Sequence, residues 1–185
     1  MLFNSYMSKK IIITGGLGYI GTELCKLYSG VSWHHKIKVI DNRFISERVN
    51  QIRNWNMDFI QGNILDKDFI NNHFKDADVV HHLAGITSVP RTKSESSVEK
   101  DKEIRTVGVE GTKNILDAIS EKCKIIFPST HVVYEGIDKV KTDIKESDET
   151  KPILSYSLSK AINEKQLKDS GKNYIILRLG SVYGF

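Results

Sequence analysis

Two residues late in the chain have the types and spacing for proton transfer. Tyr156 and Lys160 stand four apart in Tyr156-Ser157-Leu158-Ser159-Lys160, which puts them on one face of a helix. A free phenol has a pKa of about 10. A nearby ammonium favours the phenolate and lowers that value. Such a phenol can take or give a proton at neutral pH. The same spacing also occurs on ordinary helix surfaces, so the pair gains meaning only beside a group that moves electrons.

The stretch Lys10-Ile11-Ile12-Ile13-Thr14-Gly15-Gly16-Leu17-Gly18-Tyr19-Ile20-Gly21 supplies a place for one. An apolar run ends in spaced glycines, Gly15, Gly18 and Gly21, and a helical pattern follows. Glycines at this spacing let the backbone turn tightly from strand to helix and approach a pyrophosphate. The free N–H groups of the helix start then face its charge. Asp41 ends the next apolar run, 20 residues after Gly21. A carboxylate there accepts hydrogen bonds from both ribose hydroxyls of an adenosine and repels a 2′-phosphate, which favours NAD over NADP. Arg43, two residues on, carries a guanidinium that can pair with a phosphate. An isolated Asp would read equally well as a cap on the following turn.

The elements that must position these groups alternate along the chain. Apolar runs predict strands at Ile11–Thr14, Ile37–Asp41, Asp58–Gly62, Asp78–His82, Lys124–Pro128 and Tyr174–Leu179. Helical patterns fall at Tyr19–Ser29 and at Asp66–Phe74, with Asp66 as N-cap. A long helix lies within Ser94–Glu121, clearest from Ile104 on, where Val107, Ile115, Leu116 and Ile119 recur at helical spacing. Another covers Tyr156–Ser170, closed by Gly171. Ile45–Arg53 reads as a short helix or a loop. Continuous Ile/Val strands between amphipathic helices imply an α/β fold with a doubly wound parallel sheet. The charged stretches Ser88–Lys102 and Glu135–Lys151 each follow a strand, where ligands bind in such sheets.

Composition excludes several classes. The chain has 185 residues, one domain by length, with 39% apolar and 27% charged residues and a net charge of +4. The lysines are spread rather than blocked, which disfavours a nucleic-acid partner. Cys25 and Cys123 lie far apart without metal-ligand spacing, so neither a metal site nor a disulfide is expected, and a reducing, cytoplasmic location is. No apolar run nears the roughly 20 residues needed to span a membrane, and no signal-peptide core is evident. Met7-Ser8-Lys9-Lys10 looks like a natural start. Met1–Tyr6 is then an upstream start or a remnant, expected to be poorly ordered.

Thr14 to Gly21 resembles the dinucleotide fingerprint of the extended short-chain dehydrogenase/reductase family, the NAD-dependent epimerases and dehydratases that act on nucleotide sugars. The resemblance runs over residues 10–184. It implies cofactor contacts from Gly15, Gly18, Tyr19, Ile20 and Gly21, and from Asp41 and Asn42. Gly62-Asn63-Ile64-Leu65-Asp66 is similar to the segment that contacts adenine, through Asn63 and Ile64. Asn63 stands where the family usually has Asp, and its amide oxygen can still bond the adenine amino group. His82-Leu83-Ala84-Gly85 resembles the segment along the cofactor, with Leu83, Ala84 and Gly85 in contact and His82 structural. Val89-Pro90-Arg91 resembles a substrate-side turn.

With Pro152 upstream and Ser159 before the Lys, Tyr156 and Lys160 resemble the family's catalytic pair. Lys160 also reaches the nicotinamide ribose. Phe127-Pro128-Ser129-Thr130-His131-Val132-Val133-Tyr134 resembles the segment that carries the third catalytic group. The hydroxyl four residues before the Tyr is Thr130, which meets the substrate, as does Tyr134. Ser129 lies nearer the cofactor. Dehydratases of the family place acidic residues directly after this Thr, and related decarboxylases a Glu. Here His131 and Val132 stand there, which favours epimerisation or simple oxidoreduction. Arg178-Leu179-Gly180-Ser181-Val182-Tyr183-Gly184 is similar to the motif whose backbone holds the nicotinamide amide, with Ser181 for the usual Asn. Gly108 also replaces a common Asn.

The resemblance implies residues 1–9 as an N-terminal extension and 10–185 as an NAD-binding Rossmann domain, incomplete at its C-terminus, with the substrate domain missing. An exposed sheet edge would follow, and with it homo-oligomers. The implied function is that of an NAD-dependent nucleotide-sugar epimerase, or its cofactor-binding portion. A reductase or dehydrogenase of the same family, and a non-catalytic NAD-binding module, are the alternatives.

Overall fold

A computed structural model describes residues 7–87, 92–137 and 141–183. Met1–Tyr6, the Val89-Pro90-Arg91 turn and Gly184 lie outside the described residues. Six strands form one sheet in the order β3-β2-β1-β4-β5-β6, every neighbouring pair parallel. The strands are β1 Lys10–Thr14, β2 Lys36–Asp41, β3 Asp58–Gln61, β4 Val79–His82, β5 Lys124–Thr130 and β6 Asn173–Leu179. The strand order reverses between β1 and β4, so their carboxyl ends open a crevice there.

Side chains alternate across the sheet. Ile11, Ile13, Ile37 and Val39 pack with Leu17, Cys25, Val49 and Ile52 on the face covered by α1 (Tyr19–Ser29) and α2 (Ser46–Asn54). Ile12, Ile40, Val80, Ile125 and Phe127 pack the other way, against Ile70, Phe74, Ile115 and Leu167. Those residues belong to α3 (Lys67–Phe74), α5 (Gly111–Ala118) and α6 (Ser155–Asp169). Both faces of the central strands are therefore buried, which explains why they read as unbroken apolar runs. At the edge, Ile175 and Leu177 of β6 remain exposed.

The doubly wound parallel sheet expected from sequence is present, and Ile45–Arg53 resolves into the helix α2. Asp66 caps α3, accepting the N–H of Phe69 at 3.0 Å. Gly171 follows α6 with φ +66°, a left-handed conformation that glycine adopts without steric penalty.

The long helix expected within Ser94–Glu121 is present over residues 98–118, with a π segment inside it. A 3₁₀ turn at Lys93–Glu95 precedes α4 (Val98–Arg105), a π-turn at Thr106–Glu110 follows, and α5 ends at Ala118. The amides of α6 hold the π-turn open. Asn163 Nδ2 donates to the Gly108 carbonyl at 3.0 Å, and Gln166 Nε2 to that of Val109 at 3.1 Å. At Gly108 a Cβ would collide with the Ser159 hydroxyl. The helical spacing marks the helix but does not distinguish this wider turn from the α-helix around it.

Candidate active site

The glycine turn is built against the β4 loop. Thr14 accepts the Leu83 N–H on its carbonyl (3.2 Å) and the Ala84 N–H on its Oγ1 (3.1 Å). Gly15 has φ +67°, and a Cβ there would sit 2.7 Å from the Ala84 nitrogen. Glycine is required at this point by both the angle and the approach. Gly18 is the N-cap of α1, no side chain caps that helix, and its first turn holds no acidic residue. Tyr19 and Ile20 are exposed. The start of α1 is thus an open, positively polarised cradle between β1 and β4, which fits the pyrophosphate of a dinucleotide.

Asp41 is buried at the end of β2. Its Oδ2 accepts the Leu17 N–H at 3.0 Å and so fixes the glycine turn. Its Oδ1 accepts the Arg43 N–H at 3.0 Å and the Arg43 Nε–H at 3.1 Å. The neighbouring Asn42 presents its carbonyl to Gln61 Nε2 at 3.0 Å. Asn63 forms a turn of its own, Oδ1 accepting the Leu65 N–H at 3.0 Å. Ile64 is buried, and its carbonyl accepts Asn114 Nδ2 at 3.0 Å.

A small cleft of about 30 Å³ brings Tyr156 and Lys160 together with Leu83, Ala84 and Gly85, over Phe127 and the π-turn. Lys160 Nζ donates to the Pro128 carbonyl at 2.8 Å and lies 4.4 Å from the centre of the Phe127 ring. Burial of its ammonium lowers its pKa to about 8. The phenol of Tyr156 shifts upward, raised by its own burial. This corrects the expectation that Lys160 lowers it. The ammonium is turned to Pro128, 5.9 Å from the Tyr156 ring centre, and desolvation of the phenolate dominates.

Thr130 is buried and caps a 3₁₀ turn, His131–Tyr134, its Oγ1 accepting the Val132 N–H at 3.3 Å. It does not line the cleft. Ser129 points the other way and donates to Glu164 Oε1 at 2.6 Å. Tyr134 donates to the Lys145 carbonyl at 2.9 Å, and Arg178 Nη1 donates to its hydroxyl. His131 is exposed, with Nδ1 3.2 Å from the Leu179 carbonyl, which requires the proton on Nδ1. His82 is buried between Thr14 Oγ1 and Thr112 Oγ1, each at 3.0 Å. Burial, with the Lys160 charge second, pushes its pKa down to about 3, so it stays neutral.

Glu164 was not singled out from sequence. It is buried on α6, four residues beyond Lys160, and joins Ser129 to Arg178 of β6 (Nε 2.9 Å, Nη2 2.6 Å). A charged residue continuing the Tyr156–Lys160 face was the available signal. Burial pushes the Glu164 carboxyl up, but bonds from Arg178 and Ser129 outweigh it and hold the pKa below its ordinary value.

Strand order, the glycine-framed helix start and the buried Asp at the end of β2 define a Rossmann-type dinucleotide-binding fold. The chain belongs to the 3-beta hydroxysteroid dehydrogenase/isomerase family, whose pattern matches residues 12–181, within the extended short-chain dehydrogenase/reductases. It is 31% identical to the UDP-N-acetyl-alpha-D-glucosaminuronate decarboxylase of Bacillus cytotoxicus, over 96% of this chain and 56% of that protein. It is 30% identical to the UDP-glucose 4-epimerase of Neisseria meningitidis serogroup C, over 89% of this chain and 49% of the other. Among solved structures, the UDP-N-acetylglucosamine 4-epimerase of Methanobrevibacter ruminantium M1, in complex with UDP-N-acetylmuramic acid, superposes with a TM-score of 0.74 at 28% identity. That match covers 92% of this chain and 54% of that one. The Bordetella bronchiseptica enzyme WbmG in complex with NAD gives 0.80 at 25% identity, over 99% and 56%. The chain spans about half the length of these relatives.

Proposed function

We propose that this chain is the NAD-binding portion of a nucleotide-sugar epimerase. The observation that carries the reading is the cleft in which Tyr156 and Lys160 meet the β4 loop at the reversal of strand order. Bound NAD would supply a reversible hydride acceptor beside it. The backbone of Gly15, Gly18, Tyr19, Ile20 and Gly21 would hold the pyrophosphate. Asp41 and Asn42 would take the adenosine ribose, Asn63 and Ile64 the adenine, and Leu83, Ala84, Gly85 and Ser129 the remaining length. Tyr156 would exchange the proton of the sugar hydroxyl at its phenol oxygen. Thr130 would bond that hydroxyl, with Tyr134 beside the substrate. Lys160 would hold the nicotinamide ribose.

Domain extent follows the same reading, with residues 1–9 an extension and 10–185 the cofactor domain. His131 and Val132 after Thr130 lack the acidic groups that elimination uses, which favours epimerisation over dehydration or decarboxylation. A reductase or dehydrogenase would use the same residues and accumulate NADH or NAD. The reduced buried cysteines support a cytoplasmic location, and the exposed face of β6 supports self-association. Among the described residues no helix is long and apolar enough to cross a membrane.

Calorimetric titration of this chain with NAD and NADP tests the cofactor, and tighter NADP binding overturns the role of Asp41. The whole gene product, incubated with UDP-, GDP- and dTDP-sugars, should change sugar stereochemistry without net NADH. Tyr156→Phe should lower that turnover by about 100-fold or more and leave NAD binding intact. Unchanged turnover would remove Tyr156 from the proton route.

A further inference from the structure

The helix that carries Tyr156 has no cap of its own. Its N-cap position is Leu154, which offers no side-chain acceptor, and its first turn holds no acidic residue. A carboxylate from another part of the chain instead binds the two residues that lead into the helix and one hydroxyl of its first turn. Three donors converge on one oxygen, Oε1 of Glu135: the N–H of Ile153 at 2.7 Å, the N–H of Leu154 at 2.7 Å, and the hydroxyl of Ser157. These donors flank Tyr156 on both sides. Glu135 is exposed, yet bonds from Ser157, Leu154 and Ile153 outweigh the upward pull of burial and hold its pKa below the ordinary value. A carboxylate at a helix N-terminus is also favoured by the helix dipole.

Glu135 sits at the far end of the 3₁₀ turn that Thr130 begins. The turn is clamped to the chain leading into α6. Gly136 N–H donates to the Lys151 carbonyl and Lys151 N–H to the Val133 carbonyl, each at 2.8 Å. Thr130 and Tyr156 are thus joined by a short rigid path: the Thr130 hydroxyl at one end of a four-residue turn, and at the other a carboxylate seated on the first turn of the Tyr156 helix.

We propose that Glu135 is a positioning residue that fixes the Tyr156 phenol relative to Thr130 by capping α6 from outside. The inference rests on the epimerase-type reading of Tyr156 and Thr130. Its test is direct on this chain. Amide exchange is measured by NMR, and Tyr156 is followed by its ring-carbon resonance, assigned by loss in Tyr156→Phe. In Glu135→Ala, exchange at Ile153 and Leu154 should speed up at least about tenfold, while exchange at Ile13, Val39 and Val80 stays within about twofold. The Tyr156 resonance should shift and broaden. Glu135→Gln keeps one acceptor oxygen and should restore most of the native resonance. Faster exchange at Ile153 and Leu154 with an unmoved Tyr156 resonance would reduce Glu135 to a structural cap and overturn the proposal. Unchanged exchange at both amides would overturn it as well. Absence of NAD binding by the unaltered chain would sink the functional reading and leave the exchange result standing.

Discussion

The guanidinium of Arg43 occupies the carboxylate of Asp41, with Nε 3.1 Å from Oδ1 and Nη2 3.3 Å from Oδ2. The Asp side chain is 3% exposed and the Arg 55%, so the pair lies half in solvent. An adenosine ribose at Asp41 would compete with Arg43 for the same oxygens. Such exposed pairs are worth about 1 kcal/mol or less. Arg43→Ala should therefore tighten NAD binding by about two- to fivefold and weaken NADP binding, which loses a cation. Asp41→Ala removes charged hydrogen bonds and should weaken NAD binding by about tenfold or more. Calorimetry on both variants checks the pair.

Glu164 and Arg178 form a second ion pair of a different kind. Their side chains are 4% and 11% exposed. Removing one partner leaves a buried charge unpaired, which costs about 3–5 kcal/mol. Glu164→Ala should lower the urea midpoint accordingly, and Glu164→Gln, which can still accept from Ser129, should lose less. A midpoint unchanged in Glu164→Ala would mean that Arg178 finds water or another partner.

Stability should fall with acid in a defined window. His82 has its folded pKa pushed down to about 3, against an ordinary value of 6.5. A group whose folded pKa is depressed contributes stability that is present above its unfolded value and lost as pH falls toward the folded one. Protons then bind the unfolded chain preferentially from pH 6.5 downward. Glu164 and Glu135, both also depressed, add the same sign below the ordinary carboxylate range. Urea midpoints should decline across this range. In His82→Gln the decline should be shallower between pH 6.5 and the carboxylate region, and an equal slope there would remove His82 from the account.

Gly108 and Ser159 should behave as a coupled pair. A Cβ on Gly108 meets the Ser159 hydroxyl, and overpacking of this kind costs about 1–3 kcal/mol. Gly108→Ala should destabilise the chain by that amount, and adding Ser159→Ala should recover most of it. The urea double-mutant cycle measures the coupling. Additive losses would show that the clash is relieved elsewhere. An Asn at position 108 would meet the same obstruction. Here Asn163 reaches the Gly108 carbonyl from α6 instead.

Strands, helices and the glycine turn were legible in the sequence because each is encoded locally. Ile11–Ile13 alternates between two buried faces, Asp66 sits three residues before the N–H it accepts, and glycine meets both the positive φ and the close backbone approach at Gly15. Tyr156 and Lys160 were legible for the same reason, being one helical turn apart. Tertiary structure decided the electrostatics. Whether Lys160 faces Tyr156 or Pro128, and whether Asp41 is open or held by Arg43, depends on competing partners. The burial that raises the Tyr156 phenol is set by packing. Glu135 on the Tyr156 helix, Ser129 on Glu164 and Asn163 on Gly108 are contacts 18 to 55 residues apart in the chain. No local periodicity carries such pairings, because they form only when the fold packs α6 against β5, the 3₁₀ turn after it and the π segment.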